Sequence, residues 1–281
     1  MMKSRNQTLR ANKVIRLQSI FEKHGWAEIS NTDNCEFEDF CSMLSHLSDS
    51  QQDLVLSLTE DFLQVNALQY APLFFDAYKK LLIDLSKEYD KVFIQPLLSP
   101  KDFHKQKSST ALFYLVKAEE VALKRISGRL EIKFIDNHMT LFNAKVESST
   151  LVCLIDDYVG TGDTAEKAVE YLQENGIPAS NIRIVSIVAQ QAACERLNKK
   201  NIPVYYSVLR NKGLSENTKY SSDDIEVMRR IENKMRIRKE YRFGYGQTEG
   251  LVKLIRIPNN TFPVYWYPCK SIPIVPFPRK G

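Results

Sequence analysis

The run DDYVGTGDT, Asp156 to Thr164, sets two adjacent carboxylates ahead of a turn made of Gly160, Thr161, Gly162, Asp163 and Thr164. Glycines let backbone N–H groups approach an anion closely, and the threonine hydroxyls add further donors. If a helix begins here, its unpaired N–H groups and the positive end of its dipole favour a phosphate. Asp156 and Asp157 would repel that phosphate. Their carboxylates suit vicinal ribose hydroxyls instead, accepting O–H bonds directly or through a magnesium ion and water. A plainer reading of the same residues is a helix cap, with Thr161 or Asp163 as the capping side chain.

The flanks supply the elements this chemistry needs. Leu151 to Ile155 is apolar at every position, the pattern of a central strand with no solvent face. Ala165, Ala168, Val169 and Leu172 give the following segment a helical apolar stripe. A strand–turn–helix junction of this kind lies at the carboxyl edge of an open parallel sheet, where ligands bind. DDYVGTGDT resembles the phosphoribosyl-diphosphate signature of the type I phosphoribosyltransferases: an acidic pair, three residues, then TGxT, with every fixed position matched. The resemblance implies binding of phosphoribosyl diphosphate. Asp156 and Asp157 would form the catalytic pair on the ribose hydroxyls, and Val159, Gly160, Thr161, Gly162, Asp163 and Thr164 would wrap the 5-phosphate. It also implies Mg2+ carried in with the ligand rather than held by a protein metal site.

In that family a loop after an earlier strand grips the diphosphate, and here it reads SPKDFHKQKSST. By resemblance Lys107, Ser108 and Ser109 are its diphosphate contacts, with Lys101 and Lys105 adding charge. The loop departs from the family in having no glycine, and a serine there could equally cap the next helix. The stretch 136–150, DNHMTLFNAKVESST, matches in position the family's mobile closing loop; His138 within it reads as a surface residue.

These segments sit in a chain whose pattern changes near residue 90. Before it, a stretch free of proline as far as Ala71 carries apolar residues at helical spacing, as in Val14, Leu17, Ile20 and Phe21, with a break at Asn31 to Asn34. After it, Val/Ile/Phe-rich runs at Val92–Leu98, Leu130–Ile135, Leu151–Ile155, Ile182–Ala189 and Val204–Val208 alternate with helical candidates at Thr110–Lys124, Thr164–Glu174 and Gln190–Lys199. Such alternation is the mark of βαβ units. The expected fold is therefore α/β, a mostly parallel sheet flanked by helices. The expected domains are a helical N-terminal region over 1–88 and a phosphoribosyltransferase-like domain over 89–281, closed by a C-terminal hood from about 211.

The hood contains FGYGQTEG, where Tyr245 and Gln247 could stack on or hydrogen-bond an acceptor base, or serve only as turn residues. A basic segment, Asp223 to Arg242, is expected to be helical and would either contact nucleic acid or present a solvated face. Six of the eleven prolines follow it, which favours an extended tail over a helix. FGYGQTEG followed by PNNTFPVYW resembles phosphoribosyltransferase-like proteins of bacterial conflict and antiphage loci, retron-associated ones included. That resemblance implies a protein or nucleic-acid partner in a defence complex.

Composition narrows the remaining classes. The 43% apolar and 26% charged content is that of an ordinary globular chain, and a net charge of +5 is too mild to imply nucleic acid by itself. Five scattered cysteines without a CxxC pair support neither a zinc site nor a disulfide framework. No apolar run approaches the roughly 20 residues of a membrane span, so the expectation is a cytoplasmic protein without a membrane partner. Oligomeric state is left open, a homo-oligomer included. Two functions fit: transfer of the phosphoribosyl group to an unidentified acceptor, or a non-catalytic module that senses phosphoribosyl diphosphate or a nucleotide.

Overall fold

A computed structural model describes residues 9–26, 35–85, 89–136, 138–144 and 146–279. The chain forms two compact units, one of residues 1–64 with 212–281 and one of residues 65–211.

The first unit opens with α1 (Ala11–His24), α2 (Glu36–Ser45), α3 (Asp49–Thr59) and the short strand β1 (Leu63–Gln64). Leu17, Ile20 and Phe21 are buried along α1, as their spacing predicts. The break expected at Asn31–Asn34 lies outside the described residues.

The second unit runs α4 (Ala67–Asp84), β2 (Lys91–Pro96), α5 (Ser108–Ala118), α6 (Glu120–Ser127), β3 (Glu131–Phe134), α7 (His138–Asn143), β4 (Thr150–Val159), α8 (Asp163–Glu174), β5 (Ile182–Gln190), α9 (Gln191–Asn198) and β6 (Val204–Arg210). Its strands pair in the order β3-β2-β4-β5-β6, every pair parallel, with β4 at the centre. The α/β reading of the sequence holds. One face of the sheet, through Phe93, Val152, Leu154 and Ile184, packs on Leu141 of α7, Val169 and Leu172 of α8 and Leu197 of α9. The other face is covered by α4 and α5.

Four expectations need correction. Helix α4 begins at Ala67, with Pro72 inside it, because the Asn66 side chain accepts the Gln69 N–H at 3.2 Å and the Asn66 N–H donates to the Gln69 side-chain oxygen at 2.9 Å. Its buried face, Tyr70, Phe74, Ala77, Tyr78 and Leu81, lies on the sheet, so the boundary expected near residue 88 falls after Gln64. The helix expected over Thr110–Lys124 is two helices, broken where the Glu119 N–H turns back to the Val116 carbonyl at 3.1 Å. In the stretch expected to be a mobile loop, α7 forms and buries Leu141 completely; Asn137 and Lys145 lie outside the described residues.

The basic segment is also not one helix. In the first unit α10 (Ser222–Met235) ends where Arg236 turns left-handed at φ 55° and the Ile237 N–H reaches the Glu232 carbonyl at 3.1 Å. Beyond it β7 (Val252–Lys253) pairs parallel with β1. The proline-bearing tail is non-helical apart from a 3-10 turn at Pro263–Tyr265, and Phe262, Val264, Tyr265, Ile272 and Phe277 are buried with Phe40, Met43, Val55 and Met228 in the core of this unit.

Candidate functional site: the carboxyl end of the central strand

Side chains alternate across a strand, so Asp157 shares the face of Cys153 and Ile155, towards α4 and α5. It is buried, takes the Tyr70 hydroxyl of α4 at 3.0 Å and is hydrogen-bonded by the Ser108 side chain at the start of α5. Asp156 is half-buried on the opposite face and accepts the Asp157 N–H at 2.9 Å. Burial pushes both carboxyls up. Asp156 is raised well above the usual range by burial and then by the charge of Asp157, with Lys107 pulling back weakly. In Asp157 the bonds from Ser108, Asp156 and Tyr70 oppose the rise due to burial. Without a cation or hydroxyl donors between them, these carboxylates resist ionising together.

The turn after β4 is set from behind. Gly162 stands at φ 84°, and a Cβ there would come within 3.2 Å of the Leu197 side chain. The Arg196 guanidinium on α9 donates to the Thr161 carbonyl at 3.2 Å, to Asp163 at 2.5 Å and to Glu166 at 2.5 Å, and Lys200 also pairs with Glu166. Burial would raise Asp163, but the Arg196 bond and charge outweigh it and hold the carboxyl below its ordinary range. The Asp163 side chain is thus committed to Arg196, while its N–H meets the Thr161 hydroxyl at 3.3 Å. Thr164 is exposed beside it, and the first turn of α8 keeps N–H groups that no helical carbonyl can take.

The loop after β2 needs no glycine because a buried acid organises it. Asp102 accepts the Ser99 hydroxyl at 2.8 Å and pairs with Lys105 at 3.1 Å and Lys107 at 3.2 Å. Burial acts to raise Asp102, and these three partners bring it below its usual value. Lys107 and Ser108 therefore do come to the acidic pair, one through its charge and one through a hydrogen bond. The Ser109 hydroxyl is buried and has no hydrogen-bond partner among the described residues. No cluster of three or more His, Cys, Asp or Glu suited to a metal ion occurs among the described residues. Two carboxylates alone fit a magnesium ion that arrives on a phosphorylated ligand, since magnesium keeps most of its waters and phosphate oxygens.

The profile of the PRTase-CE family matches residues 29–277. The chain belongs to the PRTase-CE family. Among solved structures it is similar to the purine phosphoribosyltransferase of Pyrococcus horikoshii, at 17% identity over 52% of this chain and 88% of that one, TM-score 0.32. It is similar to the Giardia lamblia APRTase complexed with 9-deazaadenine at 16% identity over 49% and 80% of the two chains, TM-score 0.29. For Mycobacterium tuberculosis orotate phosphoribosyltransferase in complex with phosphoribosyl diphosphate the figures are 13%, 57% and 79%, TM-score 0.29. No curated protein matches.

In this PRTase-CE chain Tyr245 and Gln247 belong to the first unit, whereas the Asp156 loop and Lys107–Ser109 belong to the second. Their segment is tightly bent: Phe243, Gly244, Gly246, Gln247 and Glu249 all have positive φ. Glu232 of α10 secures it by accepting the Phe243 N–H at 2.8 Å, while its second carboxylate oxygen is buried without a hydrogen-bond partner among the described residues. Burial raises Glu232 from 4.5 to about 7; the Phe243 N–H and Arg242 oppose the shift and Glu249 adds to it. A raised carboxyl keeps its proton in the folded chain after the unfolded chain has lost it. Stability from this group is therefore full below about pH 4.5 and is lost as pH rises towards 7. Glu232→Gln, which preserves the acceptor and removes the charge, is expected to raise stability at pH 8 by about 3 kcal/mol, given ~1.4 kcal/mol per pKa unit, and to flatten the pH 5–7 slope. Denaturant melts at several pH values measure both.

Tyr70 and Arg196 were not legible as site residues. A tyrosine on an apolar helix face and an arginine on an amphipathic helix carry no local motif, and only the strand order brings them to the turn.

Proposed function

We propose that this chain binds phosphoribosyl diphosphate at the carboxyl end of β4 and transfers its phosphoribosyl group to an acceptor. The observation that carries the reading is the acidic pair Asp156–Asp157 ending a buried central strand and leading into the glycine turn and helix N-terminus of α8. Asp156 and Asp157 accept the ribose hydroxyls, and the Gly160–Thr164 backbone and hydroxyls hold the 5-phosphate. Lys107, whose charge reaches Asp156, would offset diphosphate charge. Magnesium arriving with the diphosphate would supply charge neutralisation for the leaving group, and Asp156 would be the residue that meets its water shell. The chain's own part is to position the ribose, hold the phosphate and set the charge around a dissociating ribosyl centre, which calls for no protein nucleophile. We extend the proposal to the cytoplasmic, antiphage setting that the C-terminal resemblance implies, with a protein or nucleic-acid partner.

One observation favours the sensor reading as a second possibility: Lys105 and Lys107 are both held by Asp102, which leaves the diphosphate loop with its cations partly neutralised. Calorimetric titration with phosphoribosyl diphosphate and magnesium, followed by an assay of released diphosphate with a nucleobase mixture, separates the two. Binding with release supports transfer and binding without release supports sensing. Absence of binding removes transfer and the sensing of phosphoribosyl diphosphate, and leaves only a nucleotide sensor or a structural turn.

A further inference from the structure

The basic segment, the stretch after β7 and the proline-bearing tail are far apart in sequence, yet they meet in the first unit around a cavity of about 480 Å³. Arg238, Arg256 and Arg279 all line it, and no aspartate or glutamate does. Arg238 has no ion-pair partner among the described residues. Arg279 is partly buried and is fixed in place, its guanidinium donating to the Ile257 carbonyl at 3.1 Å and its backbone N–H to the Trp266 carbonyl at 3.1 Å. Burial, and then the nearby charge of Arg256, push Arg279 below the usual arginine value. Three guanidinium groups lining one recess give an incoming anion several donors that converge from separate segments. Guanidinium groups meet phosphate oxygens through paired, charge-assisted N–H bonds.

The rest of the wall is aromatic. Tyr241 stands edge-on to Trp266 at 5.6 Å between centroids, and Trp266 to Tyr267 at 5.6 Å, so neighbouring rings present surfaces at right angles. The indole N–H is already given to the Thr261 carbonyl at 2.7 Å, which leaves Trp266 to act through its ring. Asn259 adds an amide that can read a polar edge. The volume falls in the range of about 300–1,000 Å³ typical of small-molecule sites, well beyond what a lone phosphate fills. A second cavity shares Arg256 and Arg279, but the acid on its wall, Glu36, is already paired with Lys253.

We propose that this cavity binds a nucleoside phosphate, its phosphate on Arg238, Arg256 and Arg279 and its planar base against Tyr241, Trp266 and Tyr267. The site is built entirely from the first unit and is distinct from the Asp156 turn of the second. A free nucleotide and the phosphorylated end of a strand share this chemistry.

The test titrates the full chain with the four ribonucleoside 5′-monophosphates, a short 5′-phosphorylated oligonucleotide and its unphosphorylated form, inorganic phosphate, and adenosine. At least one phosphorylated probe should bind more tightly than inorganic phosphate and adenosine. Arg238→Glu combined with Arg256→Glu should weaken that binding about tenfold or more, with a single cooperative melt showing that the variant is folded. Tyr267→Ala should weaken the nucleotide more than inorganic phosphate. Binding should persist when Asp156 and Asp157 are both changed to Asn, which separates this proposal from the phosphoribosyl diphosphate reading. Preference for free monophosphate or for oligonucleotide identifies the source, either one in support. Equal affinity in the charge-reversed chain, no binding of any phosphorylated probe at about millimolar concentration, or inorganic phosphate binding as tightly as every nucleotide overturns it.

Discussion

Replacing both Asp156 and Asp157 by Asn should weaken phosphoribosyl diphosphate binding about 100-fold or more and, at neutral pH, should raise the melting temperature. The first effect follows from the loss of two sets of hydrogen bonds to charged acceptors, each worth about 1.5–3 kcal/mol. The second follows from the site itself: burial raises both carboxyls and the charge of Asp157 raises Asp156 further, so ionising them works against the fold. The sign is that of any raised acid. The parent chain loses stability as pH climbs through the raised values, and its deficit relative to the Asn variant grows over the same interval. Asparagine keeps an acceptor for the Tyr70 hydroxyl, so the packing of α4 on β4 survives the exchange. Calorimetry and thermal melts on the same samples decide between site and cap. Lost binding with a raised melting temperature marks a ligand site held under electrostatic strain. Lost stability with binding unchanged would show that the acidic turn serves only to cap α8.

How much of this was legible in the sequence follows from range. The β4–α8 junction could be read because all its determinants are local: an apolar strand, an acidic pair, a glycine turn and an amphipathic stripe within one stretch. The loop after β2 follows from the strand–helix alternation, but its absence of glycine looked like a defect. The structure supplies a different solution, in which buried Asp102 gathers Ser99, Lys105 and Lys107. Helix α4 was assigned to the N-terminal region because helical periodicity says what face is buried and not against what. Its Tyr70 hydroxyl reaches a residue 87 positions away, which no window along the chain can reveal. The same limit hid the union of residues 1–64 with 212–281, made by the β1–β7 pairing and by Phe40, Phe62, Tyr265 and Phe277 packing ring against ring.

Gly244→Ala is expected to be the most damaging conservative change in the first unit, with a loss of about 4 kcal/mol or more, the scale reserved for overpacking combined with backbone strain. Gly244 has φ 78°, and a Cβ there would stand 1.9 Å from the Asn260 carbonyl oxygen and 2.7 Å from its carbon. Backbone cannot swing aside as a side chain can, and this backbone is pinned. The Asn260 carbonyl accepts the Thr248 hydroxyl at 2.9 Å and the Gly250 N–H at 2.9 Å, while its side-chain amide donates to the Tyr245 carbonyl at 3.0 Å. Moving Asn260 would therefore break the bonds that hold Tyr245, Thr248 and Gly250, in a segment where Phe243, Gln247 and Glu249 already occupy left-handed backbone. Gly25→Ala is the control. It has φ 67° but no atom within 4 Å of an added Cβ, so it should cost only the conformational term of about 1–2 kcal/mol. Denaturant unfolding of the two variants isolates the steric part as their difference, and equal losses would mean that the close approach of Gly244 to Asn260 contributes nothing to holding this turn.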